Sequence, residues 1–360
     1  MAHTGRTRGL LLGLVSALLF GIATPASKQL LASLPATVLA GLLYLGAALA
    51  LLPIVLRRKG ERRREQDGGG GAPAQERKRP DRRNQLRLLG AVFFGGVAGP
   101  VLLLLGLERA QAASVSMLLS LETVATAVLA LLFFREQMGR WTWIASAGVV
   151  VASGMLAFDR GVPSLIGALL VLAACVAWGL DNNLTAVIDG FTPSESTFWK
   201  GLIAGVVNLS LGFALHRTGL SGAWLWALLV GALSYGMSIT LYIHSAQLIG
   251  AVRSQMVFAT APVFGVVGAL AWLGEALVPL QLGAAALLAV ALLLLSLERH
   301  EHEHVHEAVE HEHSHRHDEG HHLHQHEGLP ASHRHSHRHR HERLIHSHQH
   351  WPDLHHRHQH

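Results

Sequence analysis

The chain has 360 residues, of which half are hydrophobic and 15% are charged, and its formal net charge at pH 7 is +5. A single cysteine, Cys175, excludes an internal disulfide and a thiolate zinc site. The charged residues are crowded into residues 57–87 and 298–360 without interleaved aromatic residues, which argues against a nucleic-acid partner. Long apolar segments between these regions indicate an integral membrane protein.

Ten apolar segments have the length of a transmembrane helix, which needs about 20 residues at a rise of about 1.5 Å per residue. The predicted fold class is therefore an all-α integral membrane protein with short connections, except at residues 57–87. In chain order, the predicted helices are 9–28, 36–56, 88–107, 111–134, 141–158, 164–186, 197–215, 222–243, 251–273 and 277–297.

The distribution of Lys and Arg predicts the orientation in the membrane. With the N-terminus inside, Arg6, Arg8 and the basic residues of 57–87 all lie on the inner side. Both termini are therefore predicted to be cytoplasmic, in a multi-pass membrane protein. Residues 57–87 include four consecutive glycines and many charges, so they are predicted to form a disordered cytoplasmic loop. Binding of this loop to anionic lipid is the alternative.

The apolar region repeats internally. Two groups of residues in the first half recur in the same order in the second half. Each half then contains five predicted helices. Because five is odd, the second half should be inverted in the membrane, which is a transporter architecture. Phe20-Gly21 and Pro35 precede Trp178-Gly179 and Pro193 by 158 residues, and Ala112, Met117 and Glu136 precede Ala251, Met256 and Glu275 by 139.

Residues 251–265, Ala-Val-Arg-Ser-Gln-Met-Val-Phe-Ala-Thr-Ala-Pro-Val-Phe-Gly, followed by Leu273-Gly274-Glu275, resemble the last repeat of EamA-type drug/metabolite transporters. Residues 119–128, Leu-Ser-Leu-Glu-Thr-Val-Ala-Thr-Ala-Val, followed by Phe134-Arg135-Glu136, resemble the matching piece of the first half. The resemblance covers roughly residues 9–297. It implies ten helices in two inverted EamA units, a location in the bacterial inner membrane and a central substrate cavity, without implying a substrate.

On this basis the predicted domains are a first EamA repeat at 1–158, a second at 159–297, and a disordered tail at 298–360. The 57–87 insertion and the tail both depart from the usual family pattern. Thr123 stands where the second half has Pro262, so the sequence gives no ground to expect the same kink in both halves.

Ionisable and amide residues within the predicted spans are the candidates for substrate binding, because such groups usually face a bundle interior or a wet cavity. Glu122, in mid-span, is predicted to face the cavity and to bind a cationic group or a proton. Asp181 and Arg253, near the cytoplasmic ends of their helices, are predicted to lie close together. The alternative is a structural ion pair, with Asn182 and Asn183 forming interhelical hydrogen bonds.

The tail is rich in histidine: all but three of the 27 histidines (His3, His216 and His244) lie in residues 300–360. It lacks apolar periodicity and is predicted to have no fixed structure. Neutral imidazole binds Zn²⁺, Ni²⁺, Co²⁺ and Cu²⁺, so the tail is predicted to bind these ions, although no cofactor is required. The predicted ligands are His300, His302, His304, His306, His311, His313, His315, His317, His333, His335, His337, His339 and His341.

The sequence contains no phosphate-binding loop, His-Glu-x-x-His or Gly-x-Ser-x-Gly motif, so an enzyme is not expected. The predicted function is a secondary transporter, an exporter, of a small metabolite or drug-like solute by alternating access. The alternatives are a transition-metal transporter and a membrane-anchored metal buffer or sensor that uses the tail. The expected partners are the solute, the lipid bilayer and a divalent metal, and the sequence leaves the oligomeric state open.

Overall fold

The structure is a computed structural model that describes residues 2–67, 82–134, 139–158, 162–186, 188, 193–216, 219, 221–249, 254, 257–296, 301–306, 310–315, 335–340 and 344–349. These residues form a helical unit that ends at Glu298 and a second unit, Arg299–Pro352. Arg253 and four of the predicted metal ligands, His300, His317, His333 and His341, lie outside the described residues.

The helical unit consists of α-helices and two π-helical segments. The first half contains α1 (Ala2–Gly21), α2 (Ala23–Leu30), α3 (Ala36–Asp67), α4 (Arg82–Ala91), π1 (Val92–Ala98), α5 (Gly99–Arg109), α6 (Ala112–Leu118), α7 (Leu121–Phe134) and α8 (Arg140–Ala157). The second half contains α9 (Val162–Ala186), α10 (Pro193–Leu215), α11 (Ala223–Val230), π2 (Gly231–Met237), α12 (Ser238–Ile249), α13 (Ala261–Leu273) and α14 (Pro279–Ser296).

Within the described residues, seven segments are long and apolar enough to cross a membrane, and α13 and part of α14 form shorter apolar helices. Large apolar side chains remain exposed along the outside of the unit, including Leu132 (68%), Phe158 (71%) and Leu225 (74%). Such exposure suits a lipid environment, so the chain is a multi-pass membrane protein. The seven spans are Thr7–Leu30, Ala36–Arg57, Asn84–Arg109, Ala112–Phe133, Ser164–Thr185, Ser194–Leu215 and Ala223–Ser245.

The loop predicted at residues 57–87 is shorter in the structure, because residues 57–67 continue α3 and residues 82–87 begin α4. Arg, Lys and Glu are good helix formers, and extending an existing helix avoids the cost of nucleation. Residues 68–81 of the predicted loop lie outside the described residues.

Three helices are interrupted: α1 and α2 at Ile22, α6 and α7 at Leu119–Ser120, and the chain before α13 at Ala259–Thr260. Pro25 and Pro262 explain two of these breaks, because a proline lacks the N–H of a helical hydrogen bond and its ring collides with the preceding turn. The break at Leu119–Ser120 has no proline. The fourth predicted span of each half, 111–134 and 251–273, is therefore interrupted, although Thr123 stands where the second half has Pro262.

Two pairs of helices, one helix of each pair from each half of the chain, pack antiparallel. Along the contact between α3 and α10, Gly41 faces Leu209 and Val38 faces Gly212, so residue numbers rise in one helix as they fall in the other. In the contact between α8 and α14, Gly148 likewise approaches Ala291. Other extensive contacts join α1 to α12, α9 to α5, α3 to π2 and α7 to α9.

The second unit contains four short strands, where the sequence predicts an unstructured tail in an all-α protein. β1 (Glu301–His306) pairs antiparallel with β4 (Leu344–Gln349), and β2 (Glu310–His315) pairs with β3 (His335–Arg340). The prediction of an unstructured tail rests on its lack of apolar periodicity. The tail instead alternates histidine with other polar residues at a period of two, which is the side-chain period of a β-strand.

Candidate functional site

A cavity of about 100 Å³ lies where the three interrupted helices meet. The first break contributes Phe20 and Thr24, the second contributes Ser116 and Ser120, and the third contributes Phe258, among others. Helix breaks release backbone groups from regular hydrogen bonding, which in a membrane is tolerated beside a cavity or inside protein. The sequence therefore folds locally to place polar backbone and side chains around one internal space.

Two hydroxyl groups on the cavity wall are buried and unpaired. Ser116 is 1% exposed and Ser120 is 6% exposed, and neither Oγ has a hydrogen-bond partner within the described part of the chain. A buried hydroxyl without a partner costs roughly 1–3 kcal/mol. These two groups are thus available to a solute that can donate or accept hydrogen bonds.

Aromatic rings line the cavity and extend from it. The rings of Phe20 and Phe258 lie 5.2 Å apart between centroids, and Tyr235 lies 5.8 Å from Phe20. Tyr44 continues the series at 5.7 Å from Tyr235. Aromatic faces bind apolar groups and attract cations, so this wall suits an amphipathic or cationic solute.

Glu122 lies on the cavity wall, in the first turn of α7 directly after the break. Its Oε1 accepts a hydrogen bond of 3.0 Å from Asn182 Nδ2, which also donates to Thr126 Oγ1 at 3.2 Å. Helix α9 therefore orients the carboxyl group from one side and leaves its other side to the cavity. Glu122 combines an ionisable group with access to the internal space.

Asp181 is held by Lys200 of α10. Lys200 Nζ donates to both carboxylate oxygens at 2.6 Å, and Thr185 Oγ1 donates to Oδ1 at 3.0 Å. The pair is largely buried, with side-chain exposures of 8% for Asp181 and 17% for Lys200. The predicted partner Arg253 lies outside the described residues, and Lys200 occupies both oxygens of Asp181.

The π1 segment receives side-chain donors from three helices. Tyr44 Oη donates to the carbonyl of Gly95 at 2.5 Å, Trp178 Nε1 donates to the same carbonyl at 3.0 Å, and Asn208 Nδ2 donates to the carbonyl of Gly96 at 2.9 Å. A π-helical turn shifts the hydrogen-bond register, and such turns often occur at functional sites. Here π1 is fixed to α3, α9 and α10.

A second polar cluster joins helix ends and has a structural role. The Glu275 carboxylate accepts hydrogen bonds from the backbone N–H groups of Ala112 and Ala113 at 2.8 and 2.9 Å, which caps α6. Lys28 Nζ donates to the carbonyl groups of Leu107 and Ala110 at the end of α5. Glu275 directly follows Gly274, whose φ of 67° ends α13 in the left-handed conformation.

Among the described residues, no group of three or more His, Cys, Asp or Glu side chains forms a metal site. Nine of the predicted histidine ligands lie on the four tail strands, where the backbone pairing fixes which histidines stand opposite each other.

The model of the EamA-like transporter family matches this chain twice, at residues 7–158 and at residues 165–297. The chain belongs to the EamA-like transporter family. The protein is thus a membrane transporter.

Two further comparisons agree with this assignment. An uncharacterized transporter from Methanothermobacter thermautotrophicus is 24% identical over 286 residues, which cover 76% of this chain and 82% of the relative. A protein of known crystal structure matches 80% of this chain with a TM-score of 0.56 and 14% identity, and 96% of that protein is covered. At this identity the second comparison supports the fold alone.

The structure gives the predicted site residues different surroundings. Glu122 lies on the cavity wall and accepts a hydrogen bond from Asn182, which is exposed, whereas Asp181 is engaged by Lys200. Asn183 Nδ2 donates to the carbonyls of Gly179 and Thr126 at 2.8 and 3.1 Å, and so joins α9 to α7.

Sequence reasoning missed several residues of the EamA site. Lys200 is a basic residue in the first turns of the helix that follows Asp181, which marks a polar position in a span but does not identify its partner. Ser116 and Ser120 carried no signal, because serine is common in membrane helices and makes many interhelical contacts. Phe20 and Phe258 were indistinguishable from ordinary packing residues.

Proposed function

We propose that this EamA protein is a secondary transporter that moves a small metabolite or drug-like solute by alternating access. The observation that carries the proposal is the cavity at the three helix breaks, with its unpaired hydroxyl groups of Ser116 and Ser120 beside Glu122. Transporters bind solutes near the membrane midplane at discontinuous helices, where backbone and side-chain polar groups are free. The direction that we propose, export, rests on the resemblance to drug/metabolite transporters alone.

We further propose ten membrane spans in two inverted five-helix repeats. The repeat offset of 139 residues relates π1 to π2, from Val92 to Gly231 and from Ala98 to Met237. The fourth helix of each half is interrupted at nearly the same offset. The antiparallel contacts of α3 with α10 and of α8 with α14 are those expected when equivalent helices of inverted halves meet on a pseudo-twofold axis.

For the binding site, we assign solute contact to Glu122, Asn182, Ser116 and Ser120. Glu122 supplies a negative charge that a cationic group or a proton would neutralise, and the hydroxyls supply hydrogen bonds. Phe20 and Phe258 cover the apolar part of the solute. Asp181 and Asn183 act between helices instead, and Arg253 remains a proposed site residue.

We place the protein in the bacterial inner membrane, with both termini and the 57–87 segment in the cytoplasm. The support is the concentration of Lys and Arg on that side. The proposed partners are therefore the solute and the lipid bilayer.

Transport into vesicles tests this function. Purified protein in liposomes is assayed with a panel of amines, amino acids, cationic dyes and Zn²⁺, with a proton gradient of either direction. Glu122→Gln should abolish or strongly reduce transport of the active solute, whereas Glu108→Gln should not, because Glu108 pairs with Arg109 at the exposed end of α5. Equal activity of Glu122→Gln and wild type across pH would reject the site.

The second candidate function is transport of a transition-metal ion that the tail collects, and the observation that favours it is the pairing of histidine-bearing strands. A membrane-anchored metal buffer is the third. Deleting residues 300–360 separates the three: a solute transporter keeps its transport, a metal transporter loses capacity or regulation, and a buffer loses its whole metal phenotype.

A further inference from the structure

We propose that the tail carries a transition-metal site built from histidines that face one another across paired strands. The inner ladder is the pairing of β2 with β3, and the outer ladder is the pairing of β1 with β4. In the inner ladder, three successive alternate positions pair histidine with histidine. These pairs are His311 with His339, His313 with His337, and His315 with His335.

Strand geometry places these six histidines on one face. Alternate residues of a strand share a face, and residues directly opposite each other in an antiparallel pair have Cβ atoms about 4.5–5.5 Å apart. Two neighbouring pairs therefore place four histidine positions side by side on one face, and an ion bound there would take its ligands from these four residues. Zn²⁺ takes four ligands in a tetrahedron, with Zn–N distances of about 2.0–2.1 Å, and Co²⁺ can take the same place.

The other face of the inner ladder explains why the strands pair in this register. Glu310 is opposite Arg340, and Glu312 is opposite Arg338, so each pair joins unlike charges. Opposite charges directly across an antiparallel ladder stabilise the pairing. A slip of one residue would exchange the two faces and lose both the charge pairs and the histidine pairs.

The outer ladder repeats the arrangement in a weaker form. His302 pairs with His348, and His304 pairs with His346, but the third position pairs His306 with Leu344. No Glu–Arg pair supports the other face, which contains Val305 opposite Ile345. The inner ladder should therefore bind the first metal ion.

Metal binding and strand pairing should stabilise each other. A two-stranded ladder alone is marginally stable in water, and an ion that binds the paired form adds its binding free energy to folding. This site is independent of the solute cavity, so it can exist whether or not the protein transports metal. It also differs from a flexible histidine polymer, in which any histidine serves as well as another.

Charge reversal tests the register while keeping every histidine. In the full-length protein in detergent, Arg338→Glu with Arg340→Glu places like charges opposite Glu312 and Glu310. Zn²⁺ affinity, measured by competition with a chromophoric chelator, should fall about tenfold or more, since outer-shell changes already cost roughly 10–100-fold. Adding Glu310→Arg and Glu312→Arg should restore it. Unchanged or tighter binding in the first variant overturns the proposal, because added negative charge favours a cation in an unpaired tail.

Histidine substitutions provide the second measurement. His313→Gln with His337→Gln removes one pair, and His355→Gln with His358→Gln removes the same number of histidines beyond the strands. The first variant should weaken the tightest Zn²⁺ site and reduce the tetrahedral Co²⁺ absorption, while the second should leave both unchanged. Equal losses in the two variants, or no Zn²⁺ binding by the wild-type protein, would overturn the inference.

Discussion

Lys200 Nζ lies 2.6 Å from both carboxylate oxygens of Asp181, and this buried ion pair joins α10 to α9. Its position beside π1 connects the second half of the protein to the first. Removing one partner should leave the other charge unpaired in a low-dielectric environment. We therefore expect Lys200→Met or Asp181→Asn to destabilise the protein by about 3–5 kcal/mol.

The double variant, Asp181→Asn with Lys200→Met, should recover most of this loss, because no unpaired charge remains. Thermal unfolding in detergent, followed by tryptophan fluorescence, measures the difference. Additive losses in the double variant would show that the two side chains do not interact.

Gly95 permits the close approach of π1 to α9. A Cβ atom at position 95 would overlap the Asp181 carboxylate, whereas a Cβ atom at Gly154 of α8 would meet open space. Gly95→Ala should therefore destabilise the protein by about 1–3 kcal/mol. Gly154→Ala should be neutral or stabilising by up to about 1 kcal/mol, because alanine favours helix more than glycine does. Equal unfolding temperatures for the two variants would contradict the close contact between π1 and Asp181.

The unpaired serines should show opposite effects on stability and transport. Ser116→Ala and Ser120→Ala remove buried hydroxyls that have no partner among the described residues, so stability should stay level or rise. Transport should fall, because the solute loses a hydrogen bond. Ser16→Ala is the matched control: Ser16 Oγ donates to the carbonyl of Ser238 at 2.7 Å, so this variant should lose about 1 kcal/mol of stability.

Sequence patterns predicted the membrane class and the apolar helices that the structure describes, because apolar length is a local signal. The site role of Glu122 stays a prediction. The partner of Asp181 could not be predicted in the same way. It depends on which helices are neighbours and how each is rotated, and a single sequence does not encode this as a pattern. The structure shows the ion pair with Lys200, and Arg253 lies outside the described residues.

Some of the helix breaks could likewise be predicted from local sequence, and one could not. Pro25 and Pro262 mark two of the breaks at the cavity, since proline acts on its own helix. The break at Leu119–Ser120 has neither proline nor glycine. The helix before it, α6, packs against α2 and α13, and a single sequence does not show these contacts. The tail strands were missed because a polar period of two was not considered as a strand signal.

The orientation in the membrane follows from the basic residues and can be measured directly. Reporter fusions at residue 70 and after His360 should both report the cytoplasm, because Lys and Arg are concentrated on that side. A fusion after Arg109, at the end of α5, should report the opposite side. A periplasmic signal at residue 70 would reverse the assignment of inside and outside for the whole bundle.

Chemical labelling at Ser120 tests the solute cavity most directly. Wild-type protein should resist a small cationic thiol reagent, because its single cysteine, Cys175, is buried. Ser120→Cys should react from the aqueous phase, the transported solute should slow the reaction, and labelling should block transport in liposomes. Glu108→Cys, at the exposed end of α5, is the control that should react but should not respond to solute. Labelling of Ser120→Cys that leaves transport intact, or that the solute does not slow, would contradict a solute site between the broken helices.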